Sequence, residues 1–426
     1  MSVASFKIFL NKLKWFIYEK VTSAGDFVLF CLDISVSGGG EVKGEKIIIY
    51  VGEFLPPRIP RLAKWFKRYD RFTMVLICHK RGFVEKFSNP DIDYVFLFRN
   101  KWHLKRIIKS IKNPYLMHGF APKSKFPFIA QEAGKKYYPS TPFIIDYQDV
   151  YVLYYGKNPT LRWLQDELPY EEGCFRKADG ILANSLEPCE GMKIWDVKKP
   201  GGRIFFPLYG DNDYFCQNEK KVTDDSIHLV YVGGIYGSHR NKSHYGLAQL
   251  HWLINYLEPQ KVHLHIYPSP SVVGADYEEY EEISKRNPFL HLHPSVSQSR
   301  LSAELSQYHY GVIPFFEDNS NQSDIKIKYS TTLKLFNYVE AGIPILVAND
   351  VMYQSWLVNR YDLGISVLSK DDFKDVKKLT GTMPYQEQVK RVIKNRELLS
   401  LKEHIPRLIK FYELMRDNVS ADKNNR

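Results

Sequence analysis

Lys334, Asn337 and Ala341 recur at intervals of three and four residues. At roughly 100° per residue they fall on one side of a helix, with Leu335, Phe336 and Val339 on the other. Ser330 and Thr331 offer an N-cap, and Gly342 can take the left-handed conformation that ends a helix. Pro344 and the apolar run 345–348 then read as a break followed by a short buried strand. A cation, an amide and a small residue in one row suit the phosphates and ribose of a nucleotide sugar, although an ordinary half-buried helix has the same pattern. Earlier in the chain, the segment 229–237 (LVYVGGIYG) is a strand that runs into a glycine-rich turn. Gly233 and Gly234 allow the backbone to approach a diphosphate, and a helix N-terminus beyond them favours anions. The spacing is not GxGxxG, so a dinucleotide fingerprint is not supported. Asp146 and Asp149 stand three residues apart at a strand's carboxyl end, and His118 stands at another. Such a carboxylate pair could cap structure or face a ligand. Without a third ligand at suitable spacing it makes no metal site.

The elements that must position these residues alternate regularly from Lys46 onward. Strands are predicted at 47–51, 73–78, 94–98, 115–117, 143–145 and 180–183. The helices 59–69, 102–111, 126–138 and 161–176 are expected between them. After a polar stretch at 217–226 the alternation resumes. Strands are expected at 229–232, 262–267, 290–292, 311–313 and 345–348, with helices at 245–256, 277–285 and 301–307. Helices at 385–398 and 404–415 close the chain. Strands joined by helices of ten or so residues imply βαβ units and parallel sheets covered on both faces. The expected architecture is α/β, two successive Rossmann-like domains with a helical C-terminal tail. Ligands belong at the carboxyl ends of the strands, in the cleft between the domains.

Several segments together resemble a known family. The run 334–344 (KLFNYVEAGIP) looks like the K-L-x-E-Y-x-x-x-G-x-P segment of GT-B glycosyltransferases near the large retaining family-4 group. There a glutamate typically holds the donor ribose; this chain has Asn337 in its place, and Glu340 lies toward the apolar side of the helix. Residues 46–57 resemble the family's opening strand and loop, with Arg58, Ile59 and Pro60 where a glycine pair usually stands. Residues 178–185 (ADGILANS) are similar to A-D-x-I-I-x-x-S. Residues 203–211 look like K-x-x-V-I-P-N-G-x-D with Tyr209 for the Asn. The resemblance covers about residues 46–370. It implies that basic residues after the glycine turn, Arg240 and Lys242, grip the donor diphosphate. It also implies that His118 lies near the donor sugar and that Asp149 contacts donor or acceptor hydroxyls, with Gln148 where Arg or His often stands. Active members of the group commonly carry two glutamates eight positions apart. Here those places hold Tyr329 and Asn337, and Glu317, Asp318 or Asp324 could substitute from the preceding loop.

Charge and composition bound the rest. The 426 residues suffice for two domains. No apolar run reaches the ~18 residues of a membrane span. The N-terminus does not read as a cleavable signal, because Lys7, Asn11, Lys12 and Lys14 interrupt it. Five scattered cysteines without a CxxC pair argue for reduced thiols in a cytoplasm and against a zinc site. Residues 1–215 hold 33 Lys and Arg against 23 Asp and Glu, whereas 216–426 hold 26 against 25. The basic half suggests an anionic partner. Phe6, Phe9, Leu10, Leu13 and Ile17 outline a basic amphipathic helix with Trp15 and Phe16 that could lie in a membrane interface. No RNA-binding motif or arginine-rich run is present, so a nucleic-acid partner is not expected.

With the resemblance, 1–44 read as an N-terminal extension and 45–215 as an acceptor domain. Residues 216–384 read as a nucleotide-sugar domain and 385–426 as C-terminal helices and tail. The expected function is metal-independent transfer of a sugar from a nucleotide diphosphate-sugar to a glycan or lipid-linked acceptor, in cell-surface polysaccharide or glycolipid biosynthesis. It needs no cofactor beyond that substrate. The expected donor site is Gly233, Gly234, Arg240, Lys242, Lys334 and Asn337. The expected location is the cytoplasm, in peripheral contact with the inner face of an anionic membrane. A non-catalytic scaffold subunit and a nucleotide-sugar epimerase remain alternatives.

Overall fold

The computed structural model describes residues 42–424 apart from 55, 57, 80–89, 199–201, 217–224 and 318–323. The expected basic helix around Lys7–Lys20, with Cys31, lies outside the described residues.

Short apolar runs build two parallel sheets. The first has seven strands: β1 (Ile47–Gly52), β2 (Thr73–His79), β3 (Tyr94–Phe98), β4 (Leu116–Ala121), β5 (Phe143–Tyr147), β6 (Gly180–Ala183) and β7 (Arg203–Phe205), in the order β3-β2-β1-β4-β5-β6-β7. All of β1, β4, β5 and β6 is buried, as a parallel sheet covered on both faces requires. The second sheet has six: β8 (His228–Gly233), β9 (His263–Pro268), β10 (Leu290–Leu292), β11 (Tyr310–Ile313), β12 (Ile345–Ala348) and β13 (Gly364–Val367), in the order β10-β9-β8-β11-β12-β13. β7 and β13 were not expected; each is a short edge strand without a long apolar run.

Two differences from the expected elements bear on the site. β4 continues to Ala121, so His118 sits inside the strand rather than at its end. The helix expected at 245–256 is broken into Lys242–Tyr245, a 3-10 turn Gly246–Ala248 and a helix His251–Leu257. Gln249 accounts for part of this break. Its side-chain amide donates to the carbonyls of Gly237 (2.8 Å) and Arg240 (3.1 Å), tying this segment to the glycine turn.

The last helix, Leu401–Asn424, is the expected helical C-terminal tail, and it returns to the first domain. It packs on the helix Arg58–Tyr69 of the first domain. The Tyr412 ring stacks on Phe66 at 5.5 Å, and the Arg416 guanidinium lies 4.0 Å from the centre of the Tyr115 ring. Phe411 and Met415 lie where a side chain on Gly180 would collide with them.

One face of the second sheet carries a ladder of histidines. His228 pairs in register with His263, and His265 with His291. Ring nitrogens hydrogen-bond across strands, His228 to His265 at 2.9 Å, His263 to His291 at 2.8 Å and His265 to His293 at 2.9 Å. Tyr267 and Tyr308 continue the stack, and Glu304 faces it near His293. Burial, and then neighbouring imidazoles, depress the basicity of His265 to about 2 and of His291 to about 4. The neutral ladder therefore contributes stability that is intact above the unfolded-state value of about 6.5. That contribution is lost as pH falls toward 4 and below. Thermal melts between pH 7.5 and 4.5 are expected to show this decline, and His291→Gln is expected to flatten it. An identical slope in the variant would remove the ladder as its cause.

Candidate active site

β8 ends at Gly233, whose φ of +124° suits glycine and no other residue. A Cβ there would also stand 2.7 Å from Nζ of Lys334. At Gly234 an added Cβ would meet nothing nearer than the Tyr236 hydroxyl at 3.9 Å, so the backbone is open to a ligand. Gly233→Ala is expected to strain the turn by about 1–3 kcal/mol and to displace Lys334. Nucleotide binding should then weaken more than the melting temperature falls; equal affinity would separate this turn from the ligand.

Lys334 stands in the first turn of the helix Leu333–Ala341. The residue is half-buried, and its ammonium lies 5.2 Å from the ring centres of both Tyr231 and Phe315. Among the described residues it has no hydrogen-bond or ion-pair partner. Lost hydration lowers its pKa to about 8. The helix N-cap is Thr332, whose side chain makes no capping bond. Uncapped N–H groups, a cation and a glycine turn thus meet at the carboxyl ends of β8 and β11. Together they form an arrangement that can hold an anion.

The rest of this helix is more enclosed than an amphipathic pattern implies. Every residue from Leu335 to Ala341 is buried, and Gly342 closes it at φ +73°. Asn337 is only 4% exposed, and its Oδ1 accepts 2.9 Å from Nε2 of Gln298, the first residue of the helix Gln298–Leu305. Glu340 meets the Arg61 guanidinium (2.5 and 3.2 Å), the Asp211 backbone N–H (2.8 Å) and the Ser302 hydroxyl (3.0 Å). Arg61 lies on the helix Arg58–Tyr69, so this carboxylate joins the two domains. Burial pushes its pKa up, while Arg61 and the N–H and O–H donors oppose that shift.

Arg240 and Lys242 follow the glycine turn. The Arg240 guanidinium forks onto Asp276 (2.7 and 3.1 Å), which also accepts from the Gly237 N–H at 3.0 Å. Its charge is thereby committed to the first turn of the helix Ala275–Arg286. Lys242 is exposed.

On the first domain, His118 is wholly buried. Its Nδ1 lies 2.8 Å from the Tyr412 hydroxyl, and its Nε2 lies 3.5 Å from Asp146. Asp146 is buried inside β5 and paired with Arg58 (3.3 Å), whose Nη2 donates to the Phe206 carbonyl (2.8 Å). Burial lowers the His118 pKa, keeping the ring neutral. Asp149 lies beyond the end of β5, half-exposed. The two aspartates therefore do not converge, and among the described residues no group of three metal-ligating side chains exists.

Buried carboxylates hold the backbone around Asp149. Glu171 accepts from the N–H groups of Tyr151 (2.6 Å) and Val152 (3.1 Å), and Glu187 from that of Val150 (3.1 Å). Burial raises the Glu171 pKa to about 7. The short helix Tyr151–Tyr155 then contacts the helix Asp324–Tyr329 of the second domain. Beside it the Leu186 N–H donates to the Tyr329 carbonyl at 3.0 Å. Of the acidic residues that could replace the missing glutamates, Glu317 pairs with Lys328 at 2.8 Å. Asp318 lies outside the described residues.

Residues 257–410 match the family model of the Glucosyltransferase 3-like, C-terminal domain. Sucrose-phosphate synthase from Thermosynechococcus elongatus superposes with a TM-score of 0.63 at 12% identity, covering 88% of this chain and 100% of that one. The fold is GT-B. Other GT-B structures align over similar spans. The α,α-trehalose 6-phosphate synthase of Burkholderia multivorans reaches a TM-score of 0.56 at 10% identity, covering 89% of this chain and 98% of that one. The UDP-GlcNAc 2-epimerase of Neisseria meningitidis, solved with UDP-GlcNAc bound, reaches 0.50 at 9% identity, covering 86% and 99%. No curated protein sequence matches the chain. Within the GT-B frame, the glycine turn and Lys334 expected from the sequence lie side by side, whereas the Arg58–Asp146 and Arg61–Glu340 pairs were not foreseen. The local signals were Arg58 in place of a glycine, Asp146 at its strand's end and a charge, Glu340, on the apolar side of its helix.

Proposed function

We propose that this protein is a glycosyltransferase that moves a sugar from a nucleotide diphosphate-sugar to a glycan or lipid-linked acceptor. The observation that carries the reading is the half-buried ammonium of Lys334, without a polar partner among the described residues, beside Gly233 and Gly234. A dehydrated, unpaired cation costs stability, and a diphosphate would complete its coordination. The match of 257–410 to a glucosyltransferase-like domain supports the same reading. In this account the donor diphosphate lies across the glycine turn. Lys334 and the N–H groups of the helix Leu333–Ala341 stabilise it as it departs. Asn337 reaches the ribose by exchanging its bond to Gln298. Arg240 and Lys242 border the diphosphate, with Arg240 releasing Asp276 if it is to make contact. Asp149 serves acceptor hydroxyls, and His118 supports that side from beneath through Asp146 and Tyr412. Retention of anomeric configuration follows from the resemblance to the retaining group.

Asn337 and Tyr329, in place of the glutamate pair, favour a second reading as a non-catalytic subunit that still binds nucleotide. The epimerase reading predicts conversion of the donor with no acceptor present. Incubating the purified chain with nucleotide sugars, with and without glycan and lipid-linked acceptors, separates the three. Transfer together with released nucleoside diphosphate supports the proposal. Donor isomerisation alone would replace it with the epimerase, and binding without turnover with the scaffold.

A further inference from the structure

We propose that the first domain docks on an anionic lipid bilayer through the outer face of the helix Lys101–Ser110. The inner face of this helix is settled, because Leu104, Ile107 and Ile108 are buried in the domain core. Its outer face carries Lys101, Trp102, Lys105 and Lys109. Residues 101–113 contain five Lys and Arg and no Asp or Glu.

Trp102 is 63% exposed, and the ammonium groups of Lys101 and Lys105 lie 5.3 and 5.5 Å from its ring centre. Tyr137, on the neighbouring helix Lys125–Tyr137, is flanked in the same way by Lys109 (5.9 Å) and Lys136 (5.8 Å). None of Lys101, Lys105, Lys109 and Lys136 has an ion-pair partner among the described residues. Lysines just outside this face do: Lys135 pairs with Asp179 and Lys177 with Glu132. The unpaired positive charge is thus gathered around two aromatic rings.

An amphipathic indole ringed by lysines fits the boundary between lipid headgroups and acyl chains. There the ring leaves water while the ammonium groups remain beside phosphates. The basic residues cluster around two aromatic rings on adjacent helices rather than tracking along a groove, which favours a bilayer over a polynucleotide. Location gives the contact a purpose. The helix starts directly after β3, at the carboxyl edge of the first sheet, the edge that also presents Phe54 after β1 and Lys123 after β4. A bilayer touching Trp102 would place a lipid-linked acceptor beside the face from which the acceptor enters. This last consequence rests on the glycosyltransferase reading; the docking itself does not.

The test is co-sedimentation of the full chain with phosphatidylcholine vesicles, with and without phosphatidylglycerol, in the absence of any nucleotide sugar. Retention only on the phosphatidylglycerol vesicles is expected. The variant with Lys101→Glu, Lys105→Glu, Lys109→Glu and Trp102→Ala is expected to bind on the order of a hundredfold more weakly. Its melting temperature and nucleotide binding should be unchanged. Absence of wild-type binding would overturn the proposal. Equal binding by the variant would do so too, assigning the contact to another part of the chain. Retention on a polynucleotide but not on vesicles would assign the face to nucleic acid instead.

Discussion

Lys334→Met is expected to lower kcat/KM for sugar transfer by about 10²- to 10³-fold, the usual effect of removing a charged group aimed at a leaving anion. The same substitution should leave the melting temperature unchanged or raise it. Lys334 is a half-buried cation between two rings, and methionine fills that space without a dehydrated charge. Few structural lysines would combine lost activity with retained stability. The pH dependence follows from the same environment. With its pKa lowered to about 8, Lys334 is charged at neutral pH and loses its proton just above it. Affinity for a nucleoside diphosphate should therefore fall as pH rises through about 8, and that inflection should be absent in Lys334→Met. Calorimetric titrations from pH 6.5 to 9.5 would read both. Equal affinity and turnover in the variant would remove Lys334 from the site.

Arg61→Ala is expected to destabilise the protein by about 3–5 kcal/mol, because it leaves the Glu340 carboxylate buried without its counter-charge. The Asp211 N–H and Ser302 hydroxyl still reach Glu340, but they do not neutralise it. Glu340 in the variant should take up a proton more readily. The loss should then be largest at high pH, where ionised Glu340 is most costly, and smaller toward pH 5. Arg61→Met combined with Glu340→Leu removes both charges and should recover much of the loss. Urea unfolding of the three proteins at pH 5 and 8 would check this. A single-variant loss below about 1 kcal/mol would mean that the pair contributes little to joining the domains.

The parallel α/β plan was legible because strands buried on both faces have no polar alternation. The runs at Ile47, Tyr94, Gly180, Leu290 and Ile345 stand out between Gly, Pro and helical periods. The left-handed stop at Gly342 and the tight turn at Gly233 were legible for the same local reason. What escaped depends on tertiary neighbours. A helical wheel shows that Asn337 lies off the apolar stripe. It cannot show whether that side faces water or a second helix, and here it faces Gln298. Arg61 and Glu340 are 279 positions apart, so no spacing rule links them. From sequence His118 falls at a strand end because the apolar run stops at Met117, yet pairing with β1 and β5 carries the strand on through Gly119 to Ala121. Short edge strands such as β7 and β13 owe their existence to neighbours already in place.

The central claim is a diphosphate site at Gly233, Gly234 and Lys334. It is tested most directly by the melting temperatures of the wild type and Lys334→Met against UDP, GDP, ADP, CMP and their common sugar conjugates. The account predicts that one nucleoside diphosphate and its sugar conjugate stabilise the wild type by several degrees and leave the variant unmoved. Stabilisation of both proteins to the same extent, or of neither by any nucleotide, would contradict it.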